Sequence, residues 1–390
     1  MNICIIANGF PTSDSPQFGC FEKDQAVALK KMGHKVTVIY IDLRFRYFKQ
    51  KFGITHFVKD GIDVYGICWI PYVLIKFLNY RYIDKLRTFM FDKVFQYVLS
   101  KQIKPDVLYA HYLYNIAFGV HLKEKYNIPL IGLEHWSVLM KNNYSQRIKE
   151  LGFIAYNKAD KLLAVSESLS NTIYKYFKRK PIVLHNMVGQ EFIDAQAIQK
   201  RKTGDVFTFI AIGSLLPIKG FDLLIEAFDR FQRTNEKKCK LIIIGEGPER
   251  VKLQKLIETL SLIDTIKLVG RKTKTEIISY LQNSDVFVLS SHSETFSVVC
   301  IEAMALGIPV LATICGGPEE FVNEQVGILV ESRKVDALTS GLEQIYVNYN
   351  KYDKQYIARY CKENFSSKVI VSKLDNVLKE TILEYNKNNK

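Results

Sequence analysis

The sequence lacks the features that define several protein classes. Its seven cysteines are scattered without any C-x-x-C pair, which excludes a zinc ribbon and a disulfide-stapled scaffold and predicts reduced, buried thiols. No apolar run approaches the roughly 18 residues of a membrane span. The first ten residues, MNICIIANGF, have no basic segment and too short an apolar run for a secretory signal. These absences predict a soluble, cytoplasmic protein.

The composition is that of a globular protein with more than one core. Hydrophobic residues make up 48% of the chain and charged residues 24%, which excludes a disordered or collagen-like chain. A single hydrophobic core rarely exceeds about 250–300 residues. The length of 390 residues therefore predicts two domains of roughly 190 residues each.

Basic charge is concentrated in the first half of the sequence. Residues 1–190 hold 27 basic and 14 acidic side chains, whereas residues 191–390 hold 27 and 26. Within 72–104, lysine and arginine alternate with phenylalanine, tyrosine and leucine. Such a basic amphipathic segment suits an anionic membrane surface or a phosphorylated partner. A solvated helix face is the alternative; nucleic acid is a formal alternative, but no nucleic-acid partner is expected.

Both halves alternate short β-branched runs with longer segments of helical spacing. Continuous apolar strands separated by helices predict parallel sheets covered on both faces, and hence two doubly wound α/β domains in series. The polar residues 199–205 (QKRKTGD) are the best linker candidate. The expected strands are 2–7, 35–41, 106–110, 130–134, 161–166 and 181–185 in the first half, and 207–213, 240–245, 266–270, 285–290, 308–313 and 327–330 in the second.

Residues 366–390 predict an amphipathic helix capped by Ser366 or Ser367. Because its apolar face must be covered, this helix is expected to dock on another surface. The residues of the apolar face are Ile370, Leu374, Val377, Leu378 and Ile382.

Glycines and polar side chains at strand ends are the candidate site residues, because doubly wound sheets bind ligands beyond the carboxyl ends of their strands. GEGPER at 245–250 lacks the third glycine of G-x-G-x-x-G, and GSLLPIKG at 213–220 lacks the G-K-[ST] ending of a P-loop. A dinucleotide oxidoreductase and a P-loop NTPase are therefore disfavoured. The candidates are Gly9, His111, Glu134, His135 and Ser166, then Gly213, Ser214, Gly245, Gly247, Gly270, Ser291 and Ser293.

The strongest single segment is SHSETFSVVCIEAMALGIPV at 291–310. A helix is expected to begin near Phe296, so that the backbone N–H groups of 295–298 form an anion-binding helix start. Glu294 and Glu302 are then expected on roughly the same face. Two carboxylates beside a helix start suit a polyhydroxyl ligand, because each can accept hydrogen bonds from vicinal hydroxyls. A capping carboxylate and a solvent-facing glutamate are the alternative interpretation.

This segment resembles the E-x7-E motif of the retaining glycosyltransferase family 4, which has the GT-B fold. IAIGSLLPIKGFDLLIEAF (210–228) resembles its G-R-L-x-x-x-K-G segment, and LIIIGEGPE (241–249) its V-G-x-G-P strand. AVSESL (164–169) and GLEHWS (132–137) resemble its V-S-x-x-L and T-x-H-G stretches. The resemblance implies two Rossmann-like domains facing a central cleft. They are an acceptor-binding domain at 1–190 and a donor-binding domain at 191–365, with a hinge at 187–205 and a helix at 366–390 that crosses back to the first domain.

The resemblance also implies roles for residues of the second half. Lys219 matches the lysine that contacts the donor diphosphate, and Glu294 the glutamate that meets the hydroxyls of the transferred sugar. Glu302 matches the glutamate that holds the ribose. The backbone amides that would cradle sugar and phosphate are those of Thr295, Phe296, Ser297 and Val298.

Four further positions follow from the same resemblance. Gly270 lies where the base stacks, and Gly19 matches the glycine whose loop approaches the phosphates. His135 matches the active-site histidine near the sugar, so that His135, Glu294 and Lys219 are the expected catalytic residues. Ser214 is a departure, because the family commonly has arginine there; Arg271 is a candidate substitute.

The implied activity is retaining transfer of a hexose-type sugar from a nucleotide-sugar to a saccharide or lipid-linked acceptor, in surface polysaccharide or glycoconjugate synthesis. No D-x-D triad, the metal-binding motif of GT-A enzymes, occurs, so neither a metal nor a cofactor is expected. UDP-sugar is the first expectation for the co-substrate and GDP-sugar the second. The basic first domain implies peripheral attachment to the inner face of a membrane. A non-catalytic GT-B-like subunit that binds sugar or a partner, and a GT-B sugar-nucleotide epimerase, are the alternatives.

Overall fold

Buried apolar strands form the centre of two separate α/β units. The structure, a computed structural model, describes residues 1–12, 15, 18–42, 52–68, 76–141, 143–195, 206–235 and 238–389. One unit comprises Met1–Leu184 with Val371–Lys390, and the other comprises His185–Ile370. The predicted linker at 199–205, residues 196–205 of the predicted hinge and residues 72–75 of the basic segment lie outside the described residues.

The described part of the first unit contains an eight-stranded sheet. Its strands are β1 (Asn2–Ala7), β2 (Lys35–Asp42), β3 (Gly53–Lys59), β4 (Ile62–Cys68), β5 (Val107–His111), β6 (Leu130–Glu134), β7 (Lys161–Ala164) and β8 (Ile182–Val183). They lie in the order β3-β4-β2-β1-β5-β6-β7-β8. Every residue of β5 and β6 is buried. Since successive side chains point to opposite faces, both faces of these central strands are covered.

One edge of this sheet is a hairpin that the sequence analysis did not anticipate. β3 pairs antiparallel with β4, whereas the other strand pairs of the sheet are parallel. The two-residue turn is Asp60–Gly61, with φ values of 53° and 69°, and Asp-Gly is a preferred sequence for such a turn. β3 was missed because its residues are mostly exposed or half-buried and therefore form no continuous apolar run.

Helices connect the strands of the first unit. They are α1 (Cys20–Lys31), α2 (Tyr80–Ser100), α3 (Leu113–Tyr126), α4 (Gln146–Lys158) and α5 (Glu167–Phe177). The C-terminal helix, Ser367–Asn388, buries Ile370, Leu374 and Leu378 of its predicted apolar face. Its Asp375 carboxylate lies 2.9 Å from His34 Nε2. Its Glu384 lies 2.8 Å from Lys161 Nζ, so polar as well as apolar contacts attach Val371–Lys390 to the first unit.

The second unit is a doubly wound domain with six parallel strands among the described residues. They are β9 (Thr208–Ile212), β10 (Lys240–Ile244), β11 (Ile266–Leu268), β12 (Val286–Leu289), β13 (Val310–Thr313) and β14 (Gly327–Val330). Their order is β11-β10-β9-β12-β13-β14. The chain order reverses between β9 and β12, and ligands of doubly wound sheets bind at such a switch point.

Seven helices of the second unit are described, and they cover the sheet. They are α6 (Gln190–Asp194), α7 (Phe221–Thr234), α8 (Arg250–Thr259), α9 (Lys274–Gln282), α10 (Val298–Ala305), α11 (Val335–Val347) and α12 (Lys354–Phe365). Phe209 of β9 packs edge-on against Phe231 of α7 at 5.5 Å between ring centroids. The predicted arrangement of two doubly wound α/β domains is thus confirmed. Within the described ranges, no helix combines the length and apolarity needed to cross a bilayer.

Candidate functional site

Two loops of the second unit meet at the switch point of its sheet. One follows β9 and the other follows β12. The Ser290 hydroxyl donates to the Lys219 carbonyl at 2.8 Å, and the His292 N–H donates to the Ile218 carbonyl at 2.8 Å. A Cβ atom added at Gly220 would lie 2.4 Å from the Ser290 carbonyl oxygen. The glycine at this position therefore allows the two loops to approach closely.

Lys219 and Glu294 form an ion pair across these loops. The Lys219 Nζ lies 2.6 Å from Glu294 Oε1, and the Ser291 hydroxyl donates to the same oxygen at 2.6 Å. The two charged side chains are only 24% and 12% exposed. Since a low-dielectric setting strengthens a Coulomb interaction, this partly buried pair fixes one cation and one carboxylate at the switch point.

The loop that carries Glu294 is braced by the next strand connection. The Glu294 N–H donates to the Cys315 carbonyl at 2.8 Å, and the Thr313 hydroxyl donates to the Ser291 carbonyl at 2.5 Å. A Cβ atom added at Gly317 would lie 2.4 Å from Phe296 Cα. The glycine turn after β13 therefore packs directly against the backbone of this loop.

The helix after Glu294 begins later than the sequence analysis expected. α10 starts at Val298, and Ser297 precedes it with φ 76° and ψ 77°. A left-handed backbone is uncommon for serine. The Ser297 hydroxyl makes no capping hydrogen bond to the helix and lies 3.3 Å from the Cys300 thiol. Glu294 lies in the loop and half-buried Glu302 lies in the helix; their position on roughly the same face stays a prediction.

Of the residues at the start of α10, Phe296 is placed differently from its neighbours. Its side chain is fully buried, and its ring packs against His185 at 5.3 Å and Phe321 at 5.2 Å. Thr295 and Val298 are half-buried, so the stretch 295–298 combines an apolar anchor at Phe296 with partly exposed residues on either side.

Ser214 and Gly270 lie at the same edge of the sheet as Lys219. The Gly213 N–H donates to the Ile244 carbonyl at 3.0 Å, and the Gly245 N–H donates to the Gly270 carbonyl at 3.0 Å. These hydrogen bonds connect the loops after β9, β10 and β11 side by side. Ser214 is exposed. The candidate substitute Arg271 is also exposed.

In the first unit, Glu134 organises the end of β6. Its carboxylate accepts hydrogen bonds from the N–H groups of His135 and Trp136 at 2.9 Å each, and from the Tyr156 hydroxyl at 2.8 Å. Burial nevertheless raises the pKa of this carboxyl to about 7. Glu134 thus holds the backbone of His135 and Trp136 in place.

His135 lies in an aromatic environment at the carboxyl end of β6. Its ring stacks on Tyr112, with centroids 3.8 Å apart and planes at 23°, and meets His111 at 5.4 Å. The imidazole is 9% exposed, and its Nε2 has no hydrogen-bond partner among the described residues. Burial lowers the pKa of His135 to about 3, so the ring is neutral at physiological pH.

Gly19 and Glu22 lie near the carboxyl end of β1. Gly19 caps α1 with φ 75°, and a Cβ atom there would lie 2.1 Å from the Gly9 carbonyl oxygen. Glu22 is 1% exposed and accepts the Asn8 N–H at 3.1 Å. Burial raises the pKa of Glu22 to about 7. Glu22 is not among the predicted site residues, although it shares the buried face of α1 with Ala26 and Leu29 at helical spacing.

The structure thus assembles the predicted residues in two groups. The first unit brings His135 and Gly19 to the carboxyl edge of its own sheet. The second unit does the same for Ser214, Lys219, Gly270, Glu294, Thr295, Phe296, Ser297 and Val298, whereas Glu302 lies further along α10. Within the described residues, no group of three or more histidine, cysteine, aspartate or glutamate side chains could hold a metal ion.

Comparison with known proteins identifies the family. The family described as "Glycosyltransferase Family 4" matches residues 23–191, and the one described as "Glycosyl transferases group 1" matches residues 192–363. An uncharacterised glycosyltransferase of Haemophilus influenzae is 25% identical over 363 residues, which cover 90% of this chain and 93% of that protein. The chain therefore belongs to the glycosyltransferases that combine these two domains, as the motifs predicted.

Solved structures agree with this assignment at the level of the fold. Sucrose-phosphate synthase from Thermosynechococcus elongatus superposes with a TM-score of 0.78 at 16% identity, over 98% of this chain and 99% of that one. Anabaena HepE in complex with UDP and glucose gives a TM-score of 0.73 at 18% identity, over 97% and 100%. The protein is a glycosyltransferase with two doubly wound α/β domains of the GT-B type.

Ionisation of Glu22 should make stability depend on pH. Its folded-state pKa of about 7 exceeds the ordinary value of 4.5, so its contribution to stability is lost as pH rises through 7. The isosteric Glu22→Gln variant should be about 3 kcal/mol more stable than the wild type at pH 8.5 and nearly equal to it at pH 4.5. Thermal unfolding at both pH values measures this difference. Glu124→Gln, at an exposed ion pair, is the control; an equal Glu22→Gln effect at both pH values would contradict the prediction.

Proposed function

We propose that this glycosyltransferase transfers a hexose-type sugar, with retention of anomeric configuration and without a metal, from a nucleotide-sugar to a saccharide or lipid-linked saccharide. Such a reaction belongs to surface polysaccharide or glycoconjugate synthesis. The observation that carries the proposal is the Lys219–Glu294 pair, 2.6 Å apart, at the switch point of the second sheet. Donor binding is assigned to the second unit and acceptor binding to the basic first unit.

Lys219 and Glu294 are assigned to different parts of the donor, Lys219 to the diphosphate and Glu294 to the sugar. A departing nucleoside diphosphate gains negative charge, and a fixed ammonium group stabilises that charge in the transition state. Lys219 and Ser291 both donate to Oε1 of Glu294, so Oε2 is the oxygen assigned to sugar hydroxyls. The backbone at 295–298 adds N–H groups at a helix start, which attract phosphate without a side chain. Glu302 is assigned to the ribose and Gly270 to the base.

These groups also explain why metal-independent transfer is proposed. In the proposed site the positive charge opposite the diphosphate comes from Lys219 and the start of α10, rather than from a divalent cation. Ser214, where relatives of this family commonly have arginine, removes a second cation, and Lys219 then carries a larger share of the charge stabilisation. Since HepE was solved with UDP and glucose, a UDP-sugar is the first donor proposed and a GDP-sugar the second.

Retention is proposed to occur by attack of the acceptor on the same face from which the diphosphate leaves. The bond between the anomeric carbon and the diphosphate oxygen breaks, and a bond from the acceptor oxygen to that carbon forms. The acceptor proton passes to the departing diphosphate. His135 is neutral because of burial, and its Nε2 has no hydrogen-bond partner among the residues that the structure describes. It is assigned to a hydroxyl of the transferred sugar.

The exposed face of α2 supports a membrane-associated acceptor. It presents Tyr82, Phe89 and Tyr97 together with the exposed Lys85 and Lys93. The two acidic residues of this helix are engaged elsewhere, Asp84 with Arg147 and Asp92 with Lys125. The exposed face is therefore basic and aromatic, which suits an anionic lipid surface.

The donor site can be tested by ligand-induced stabilisation. UDP-, GDP- and ADP-sugars are added without metal, since a ligand at 100 times its Kd stabilises by about 2.7 kcal/mol. One nucleotide class should raise Tm, and Lys219→Met should abolish that shift and lower kcat by about 100-fold. Lys255→Met, at an exposed lysine of α8, should behave as the wild type. No shift in folded wild-type protein would favour the non-catalytic subunit, and conversion of donor alone into a new sugar nucleotide would favour the epimerase.

The stereochemistry and the metal requirement can be measured together. The enzyme should form product in the presence of EDTA, since Lys219 and backbone amides supply the positive charge. That product should have the anomeric configuration of the donor, since the acceptor is proposed to attack from the face that the diphosphate leaves. NMR coupling constants of the product's anomeric proton give the configuration. An inverted product would exclude the front-face mechanism, and activity that returns only with a divalent cation would exclude the metal-independent one.

Membrane attachment predicts a salt-dependent interaction with lipid. The protein should sediment with vesicles that contain phosphatidylglycerol at low salt and should dissociate as salt screens the charges. The Lys85→Glu/Lys93→Glu variant should lose this binding. The matched Lys255→Glu/Lys267→Glu variant changes the same net charge on exposed residues of the second unit and should retain it. Binding that ignores salt, or equal loss in both variants, would contradict the assignment to α2.

A further inference from the structure

Tyr112 has a backbone conformation that a tyrosine rarely adopts. It lies between β5 and α3 with φ 69° and ψ 149°, a region that is normally reserved for glycine. Hydrogen bonds hold both sides of the residue in place: the Tyr112 N–H donates to the Leu133 carbonyl at 3.0 Å, and the Ile116 N–H donates to the Tyr112 carbonyl at 3.0 Å. Glycine would adopt this turn without strain, so the presence of tyrosine here indicates that its side chain has a role.

The strained backbone lays the Tyr112 ring flat on His135. The two centroids are 3.8 Å apart with an interplanar angle of 23°. Phe21 of α1 and His111 of β5 meet the same imidazole edge-on, at 6.1 Å and 5.4 Å. Tyr112 is thus the one of these three rings that covers a face of the imidazole, while Glu134 fixes its backbone.

The ionisable groups around His135 come from four elements. Glu134 belongs to β6, His111 to β5, and Tyr112 precedes α3. From α1, Glu22 and Cys20 act electrostatically on Tyr112. Burial is the cause that lowers the pKa of His135. Removal of the ring that covers one face would therefore admit water and restore the proton affinity of the imidazole.

We propose that Tyr112 is a positioning residue for the transfer reaction, whose strained backbone stacks its ring on His135 and so fixes the orientation of the imidazole toward a substrate hydroxyl. The inference rests on the proposed role of His135. The face-to-face contact supplies orientation, and the phenol hydroxyl is not required for it.

The test uses the full-length protein and the variants Tyr112→Phe, Tyr112→Gly and His135→Gln. Imidazole ¹³C labelling gives the titration of each histidine, and His135→Gln assigns the signal. With the nucleotide-sugar selected by thermal shift, release of nucleoside diphosphate gives kcat and KM. Lys178→Gly is the control for relief of strain, since exposed Lys178 has φ 58° at the end of α5.

Tyr112→Phe should keep the stack and remain within about twofold of wild-type kcat. Tyr112→Gly should stay folded with a lower Tm, because relief of the backbone strain offsets only part of the loss of a largely buried ring. Its kcat should fall by about 100-fold with little change in KM, as expected for a misplaced catalytic group. In Tyr112→Gly, His135 should titrate near pH 6.5, and kcat should therefore decrease as the pH falls below that value. Lys178→Gly should raise Tm slightly and leave kcat unchanged.

Two results would overturn the proposal. One is a Tyr112→Gly variant in which His135 stays neutral and kcat is retained; the other is a Tyr112→Phe variant as impaired as Tyr112→Gly, which would make the hydroxyl the active feature. If the role proposed for His135 in transfer is wrong, the His135→Gln variant will keep its activity, which distinguishes that failure from a failure of the present proposal. In that case the titration of His135 in the Tyr112 variants still shows whether Tyr112 controls the imidazole, because the titration needs no substrate.

Discussion

The Lys219–Glu294 ion pair is the interaction on which the proposed chemistry depends. It joins the loops that follow β9 and β12, the two strands between which the chain order of the second sheet reverses. Gly220 lets those loops approach, and the Ser290 hydroxyl binds the Lys219 carbonyl at 2.8 Å. Since removal of one partner would leave a partly buried, uncompensated charge, the pair and its loops form one unit. A ligand with both phosphate and hydroxyl groups is complementary to that pair of opposite charges.

Each unit has a non-glycine residue with a positive φ at an equivalent position in its sheet. In each sheet, one strand lies next to the first strand of its unit at the switch point: β5 beside β1 and β12 beside β9. Each of these strands leads to a helix whose preceding residue is not glycine yet has a positive φ, 69° at Tyr112 and 76° at Ser297. Such strain persists only where surrounding structure holds it, and it concentrates at functional sites. The strained turns therefore mark the two places where the side chains and amides of the proposed site are presented.

The fold was predictable from the sequence because the strands of doubly wound sheets are buried on both faces. Such strands appear in the sequence as continuous apolar runs, for example 130–134. The sequence analysis missed the β3–β4 hairpin, whose half-exposed edge strand has no such run; the Asp60–Gly61 turn was the available signal. Motif spacing located Lys219 and Glu294, but not their ion pair, which requires two loops far apart in sequence to meet. The late start of α10 and the stacking of Tyr112 on His135 depend on backbone angles that no residue type encodes.

A crystal structure of the protein with a UDP-sugar or UDP is the decisive experiment for the proposed donor site. The diphosphate should lie against Lys219 and the backbone of 295–298, with Glu294 released from Lys219 toward a sugar hydroxyl and Glu302 at the ribose. No divalent cation should bridge the phosphates. The proposed site would be wrong if the nucleotide bound elsewhere, or if it bound at the switch point with Lys219 and Glu294 still paired and a metal ion on the phosphates.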